Sequence, residues 1–135
     1  MHAALEPYLV DGGRIHLDVA DLPVRSDFAL TLTIALHELA TNAAKYGALS
    51  SATGRVMLTA RVAQGETGPE FHLDWQEDGG PPVQPPTTVG FGTTMLNQAI
   101  TYQHRGRAEL TWRETGLLCR LRLPLSEMTI APSPF

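Results

Sequence analysis

The chain holds a single cysteine, Cys119, in 135 residues. That excludes an internal disulfide and any cysteine-rich metal site. No apolar run approaches the roughly 20 residues a bilayer demands, so no membrane contact is expected. Met1 to Val10 lacks the basic region and apolar stretch of a signal peptide. Neither sign of charge dominates: 10 Lys and Arg face 14 Asp and Glu, for a formal net charge of −4. A mildly acidic chain is a poor candidate for binding nucleic-acid phosphates, so no nucleic-acid partner is expected. Charged residues are only 18% and hydrophobic residues 43%, which excludes a disordered acidic tail. There is no internal repeat and no linker between two cores. These absences leave one soluble domain over 1–135, expected in the cytoplasm. Its core is expected over about 12–125, with a tail at 126–135 that carries two prolines and should fray.

Another absence marks an element. No Gly or Pro interrupts Val24 to Tyr46, and the apolar spacing there is helical. On a wheel of about 100° per residue, Leu32, Leu36, Leu39, Ala43 and Tyr46 fall within about 80° of Phe28. Glu38, Thr41, Asn42 and Lys45 form a separate face. Asp21 or Ser26 could cap the start of this helix, and Gly47 stands where a C′ residue would end it. Before it, after a turn at Gly12-Gly13, Arg14 to Val19 alternates like a strand. After it, Arg55 to Ala63 and Glu70 to Glu77 alternate as a hairpin joined by a loop from Gln64 to Pro69. Asp78 to Gly92, with three Gly before Phe91 and four Pro, predicts an irregular loop. A short helix is expected over Thr93 to Tyr102. Arg107 to Arg113 and Leu117 to Leu123 then form a second hairpin around Glu114-Thr115-Gly116, and Pro124 stops it. This order implies an α+β fold: a two-layer sandwich with a mostly antiparallel mixed sheet and helices on one face.

Three features could carry chemistry. Glu38 and Asn42, four residues apart, share one helix face, and such a pair can hold a hydrated Mg²⁺ or activate a water. The same pair is common on solvated helix faces. Gly90-Phe91-Gly92-Thr93-Thr94 precedes a predicted helix, where glycine lets the backbone approach an anion and free amides favour phosphate. Taken alone, it is also a plain turn. Glu77-Asp78-Gly79-Gly80-Pro81 ends a strand with a carboxylate that could accept a base amino group, or simply cap the strand.

Their order is more specific than any one of them. A Glu-x-x-x-Asn helix, an acidic-Gly strand end and a GxG helix start resemble the ATP-binding fold shared by DNA gyrase, the Hsp90 chaperones and sensor histidine kinases (the GHKL or Bergerat-fold superfamily). The block Leu36-His37-Glu38-Leu39-Ala40-Thr41-Asn42-Ala43-Ala44-Lys45-Tyr46-Gly47-Ala48-Leu49 resembles the N box of the HWE histidine kinases. That subfamily is named for a His in this box and a Trp-x-Glu motif, here His37 and Trp75-Gln76-Glu77. Gly90-Phe91-Gly92-Thr93 is similar to its second glycine box. The likeness runs from about Arg14 to Pro124.

The resemblance implies a catalytic domain that binds ATP with Mg²⁺ and donates the γ-phosphate to a His on a separate dimerisation domain. A response regulator would act downstream. Asn42 would coordinate the Mg²⁺. Glu38 would help with metal water and with orienting the acceptor. Lys45 and Tyr46 would flank the phosphates and ribose. Glu77 would take the place of the adenine-binding Asp, with Gly79 packing on the base. Gly90, Phe91, Gly92 and Thr93 would form the phosphate loop, and Asp78 to Val89 the lid.

His37 counts among the candidate catalytic residues, but it lies about 100° round the helix from Glu38. A packed or supporting His outweighs a phosphorylated one there. Trp75 shares Glu77's side of the strand, and Trp in a strand is usually core. Cys119 reads as a small buried hydrophobe. Two departures from the family pattern stand out. Thr94 occupies a position that is often basic. No His here lies in the His-Arg-x-x-Asn-like setting of an acceptor helix: His104-Arg105 runs into Gly106, and His2, His16 and His72 lack a suitable helix. Two rival readings are a stand-alone anti-sigma-factor-like Ser/Thr kinase, which the HWE markers oppose, and a degenerate docking module that no longer binds ATP.

Overall fold

The alternation and the helical wheel resolve into two layers. The computed structural model describes residues 15–19, 24–66, 68–80, 98, 101 and 105–128. Strand β1 (Ile15–Val19) leads into helix α1 (Ser26–Lys45). A 3₁₀ turn at Ala48–Ser50 follows, then strands β2 (Arg55–Gly65) and β3 (Gly68–Asp78). Strands β4 (Arg107–Arg113) and β5 (Gly116–Pro124) and a one-turn helix α2 (Leu125–Met128) complete the described chain. The Gly90-Phe91-Gly92-Thr93 box, Thr94, residues 81–89 of the expected lid, Gly12-Gly13, Asp21 and residues 129–135 lie outside the described residues. So does most of the helix expected over 93–102.

Among the described residues the sheet has five strands, in the order β1-β2-β3-β5-β4. β1 runs parallel to β2, because the crossover between them is α1 itself. Every other pair is antiparallel. The architecture is the α+β mixed sheet read from the sequence.

Alternation decides which side chains meet the helix. Val56, Leu58 and Ala60 of β2, Phe71, Leu73 and Trp75 of β3, and Cys119, Leu121 and Leu123 of β5 are all buried. Against them α1 lays Phe28, Leu32, Ala35, Leu36, Leu39 and Ala43, the stripe a period of 3.6 residues produces. Phe28 meets Phe71 edge to face, with ring centroids 5.8 Å apart and planes at 88°. Among the described residues no helix is long and apolar enough to cross a membrane.

Four local readings change. The N-cap of α1 is Arg25, in extended backbone (φ −62°, ψ 146°) and without a side-chain cap bond. Ser26 is already helical, and Asp27 serves the first turn instead, its Oδ1 accepting from the Phe28 N–H at 2.9 Å. Tyr46, on the apolar side of the wheel, is 68% exposed. It is the C-cap residue (φ −130°, ψ −18°), so helical geometry no longer dictates where it points. The expected loop over 64–69 is mostly strand, because the β2–β3 ladder continues through Gln64↔Pro69 to Gly65↔Gly68. Pro69 fits there because β5 pairing begins only at Glu70, so its missing N–H leaves no ladder bond unmade on that side. The C-terminal end begins with the turn of α2, not directly with a frayed tail.

Candidate nucleotide-binding site

Glu38 and Asn42 stand one turn apart on α1, both half-buried. Asn42 Nδ2 donates to Glu38 Oε1 at 3.5 Å, the outer edge of a hydrogen bond. Both offer hard oxygens, and Mg²⁺ is commonly held by one or two such ligands together with substrate phosphates. The donor set therefore fits that ion. Among the described residues no group of three or more His, Cys, Asp or Glu gathers to hold a metal unaided. A cation here would complete its shell from a ligand. Lys45 is exposed in the last turn, where a cation also complements the helix dipole.

His37 is not packed. It is exposed, on the stripe that carries exposed Leu30 and Thr33, and turned from the Glu38–Asn42 face.

Glu77 takes the next core-facing place in β3 after Phe71, Leu73 and Trp75. A carboxylate thus ends an apolar file, and it is only 1% exposed. Both of its oxygens are engaged. Oε1 accepts the Ala48 N–H at 3.0 Å, and Oε2 accepts the Trp75 indole N–H at 2.9 Å. Burial pushes the Glu77 carboxyl above its ordinary range, and these two donors only partly oppose that. The Trp-x-Glu spacing now has a physical meaning: residues two apart on a strand share a face, so the indole reaches the carboxylate beside it.

The Ala48 bond ties the strand end to the helix end. Gly47 N–H closes α1 onto the carbonyls of Ala43 (3.1 Å) and Asn42 (3.2 Å). Gly47 is C′ as expected, but its φ is −110°, outside the left-handed region. Glycine is needed there for another reason, since a Cβ would run into Glu77 Oε1. Beyond Glu77 the chain turns at Gly79, φ +78°, a conformation glycine adopts readily. Ser51 Oγ and Thr53 Oγ1 each donate to the Gly79 carbonyl at 3.2 Å.

The structure joins the C-terminal end of α1, which carries Asn42 and Lys45 with Glu38 one turn before, to the end of β3, which carries Glu77 and leads to Gly79. No protein-family profile matches the chain. It does align with the blue-light-activated histidine kinase of Brucella anthropi, 36% identical over 115 residues, covering 85% of this chain and 23% of that protein. The Brucella ovis protein of the same description is 33% identical over 113 residues, covering 84% of this chain and 23% of its own length. The chain belongs to the histidine kinases. It spans about a quarter of the length of these relatives, and its fold is that of the catalytic domain. The histidine kinase domain of Erythrobacter litoralis EL346 superposes with a TM-score of 0.71 at 20% identity, covering 93% of this chain and 58% of that one. The catalytic domain of histidine kinase ThkA gives 0.58 at 14% identity, covering 91% and 87%.

In this histidine kinase domain, reading the sequence missed Ser51, Thr53 and Arg113, and it gave Ala48, though part of the N box, no contact with Glu77. Ser51, Thr53 and Ala48 hold the Glu77–Gly79 strand end through bonds that span 26 to 29 residues. Arg113 reaches it from 36 residues away. Polar residues in a turn and an Arg at a strand end leave no local pattern to find.

Proposed function

We propose that this chain is the ATP-binding, phosphoryl-donating domain of an HWE-type sensor histidine kinase. The observation that carries the reading is the bond from Ala48 N–H to Glu77 Oε1. It brings the acidic strand end against the end of the helix bearing Glu38 and Asn42, so base and phosphate chemistry can share one ligand. The family membership and the His37 and Trp75-Gln76-Glu77 markers support it.

Glu77 receives the adenine amino group. Each of its oxygens already accepts one N–H and keeps a second lone pair. Gly79, without a side chain, leaves room for the ring. Asn42 and Glu38 would hold Mg²⁺, which would supply neutralisation of phosphate charge during transfer. Lys45 adds a cation near the phosphates, and Gly90, Phe91, Gly92 and Thr93 contribute the phosphate loop. Glu38, one turn from Asn42, can take a hydrogen bond from a water or from the incoming imidazole and so orient it. The acceptor is a His on a dimerisation domain, with a response regulator downstream in the cytoplasm.

Calorimetry with Mg-ATP tests this. The wild-type chain should bind, and Asn42→Ala should abolish the Mg²⁺-dependent part of the affinity. Equal binding by Asn42→Ala removes the metal role. No binding by the wild-type chain favours the docking-module alternative.

A further inference from the structure

Glu77 lies just past the end of the β3–β5 ladder. The β3–β5 ladder ends at Gln76↔Leu118, while pairing to β2 continues through Val56↔Glu77 and Arg55↔Asp78. On that side β5 runs on through Leu117 to Gly116, but the ladder register does not extend to the proposed base-binding residue. Arg113, the last residue of β4, occupies that place. Its Nη2 donates to the Glu77 carbonyl at 3.0 Å and lies 3.5 Å from Asp78 Oδ1, and its Nε donates to the Gly116 carbonyl at 3.3 Å.

One planar guanidinium therefore links the β4–β5 turn to two successive residues of β3. The turn packs just as closely. A Cβ on Gly116 would meet the Glu77 carbonyl and come within 2.7 Å of its carbon and 3.0 Å of its Cβ.

We propose that Arg113 is a positioning residue for nucleotide-base selection: it holds the Glu77 carbonyl beyond the end of the β3–β5 ladder and fixes the backbone there, so the carboxylate keeps its aim. The proposal rests on the reading of Glu77 as the adenine acceptor. Asp78, by alternation, faces the opposite side of the sheet from Glu77, so its pair with Arg113 draws the guanidinium to the backbone without entering the base site. Lysine cannot substitute, because an ammonium has no planar fork to meet three oxygens together.

The test separates the base from the phosphates. Mg-ATP, Mg-GTP and inorganic tripolyphosphate are titrated into the full 135-residue chain and into Arg113→Met, which keeps an apolar stem. The variant should lose about three- to tenfold in ATP affinity and the same factor in ATP-over-GTP preference, with tripolyphosphate affinity unchanged. If Arg113→Met does not fold, Arg113→Lys carries the same measurement with the same expected direction. A variant that keeps the wild-type ATP-to-GTP ratio overturns the proposal, as does an equal loss for all three ligands, which would mark general damage. Absence of ATP preference in the wild-type chain instead removes the Glu77 assignment, and Arg113 with it. The two failures are read in different proteins.

Discussion

Among the described residues a single charged side chain is buried, the carboxylate that ends the apolar file of β3. Glu77 is buried, and its charged form survives on two N–H donors, the Ala48 amide and the Trp75 indole. Because burial raises its pKa above the ordinary 4.5, the folded state takes up a proton before the unfolded state does. The sign follows: the contribution of this group to stability is present below the unfolded value and is lost as pH rises through the folded one. Glu77→Gln cannot titrate, and its amide can satisfy only one of the two donors. At neutral pH it should cost about 1–3 kcal/mol for the donor left unpaired. The stability gap between wild type and Glu77→Gln should then widen in favour of wild type as pH falls toward 4.5. Urea midpoints for both proteins across that range check this, and a constant gap would show that Glu77 does not titrate abnormally. In binding, Glu77→Ala should erode the preference for ATP over GTP by about 1–3 kcal/mol, and competition titrations read it.

Helix α1 serves two purposes with two faces. Its apolar stripe meets the sheet through Phe28 and Phe71, and its other face bears Glu38 and Asn42. The two faces should separate under mutation. Phe71→Ala should destabilise the domain by about 3–5 kcal/mol, whereas Leu30→Ala, at an exposed position, should change stability by less than about 0.5 kcal/mol. Denaturant melts compare them directly. At the end of the helix, Gly47→Ala should force Glu77 away from Ala48, lowering both stability and ATP affinity. If Gly47→Ala left both unchanged, the helix end and strand end would not be coupled as described.

The chain spans about a quarter of the length of its relatives, and the function proposed above places the acceptor His on a separate domain. Phosphoryl transfer depends on placing the nucleophile in line with the γ-phosphate. None of the five His has a His-Arg-x-x-Asn-like setting, and exposed His37 points off the Glu38–Asn42 face. The chain alone with radiolabelled Mg-ATP should therefore form no stable phosphohistidine. An acid-labile, base-stable label lost in His37→Ala would make His37 an acceptor. Cys119 reports on the integrity of the fold: burial, with the Asp74 charge adding to it, pushes its thiol up to about 12. It should resist disulfide reagents in the native state and react at the rate of unfolding.

Local order in the chain was enough to place β1, α1 and the bodies of β2 to β5. The 3.6-residue stripe of α1, the alternation of β2 through β5 and the spacing Glu38-x-x-x-Asn42 and Trp75-x-Glu77 are properties of neighbouring residues, and period alone assigns each to a face. Tertiary structure decided what those faces meet. Tyr46 left the apolar stripe because the helix had ended. His37 is exposed opposite the apolar stripe, where no element of the described structure covers the helix. Gln64 to Pro69 became strand because a partner ladder extended over turn-like residues. The hold on Glu77 by Ala48 and Arg113, from 29 and 36 residues away, exists only once the sheet has closed. Contacts across such separations depend on strand register and turn geometry, which no local pattern in the sequence encodes.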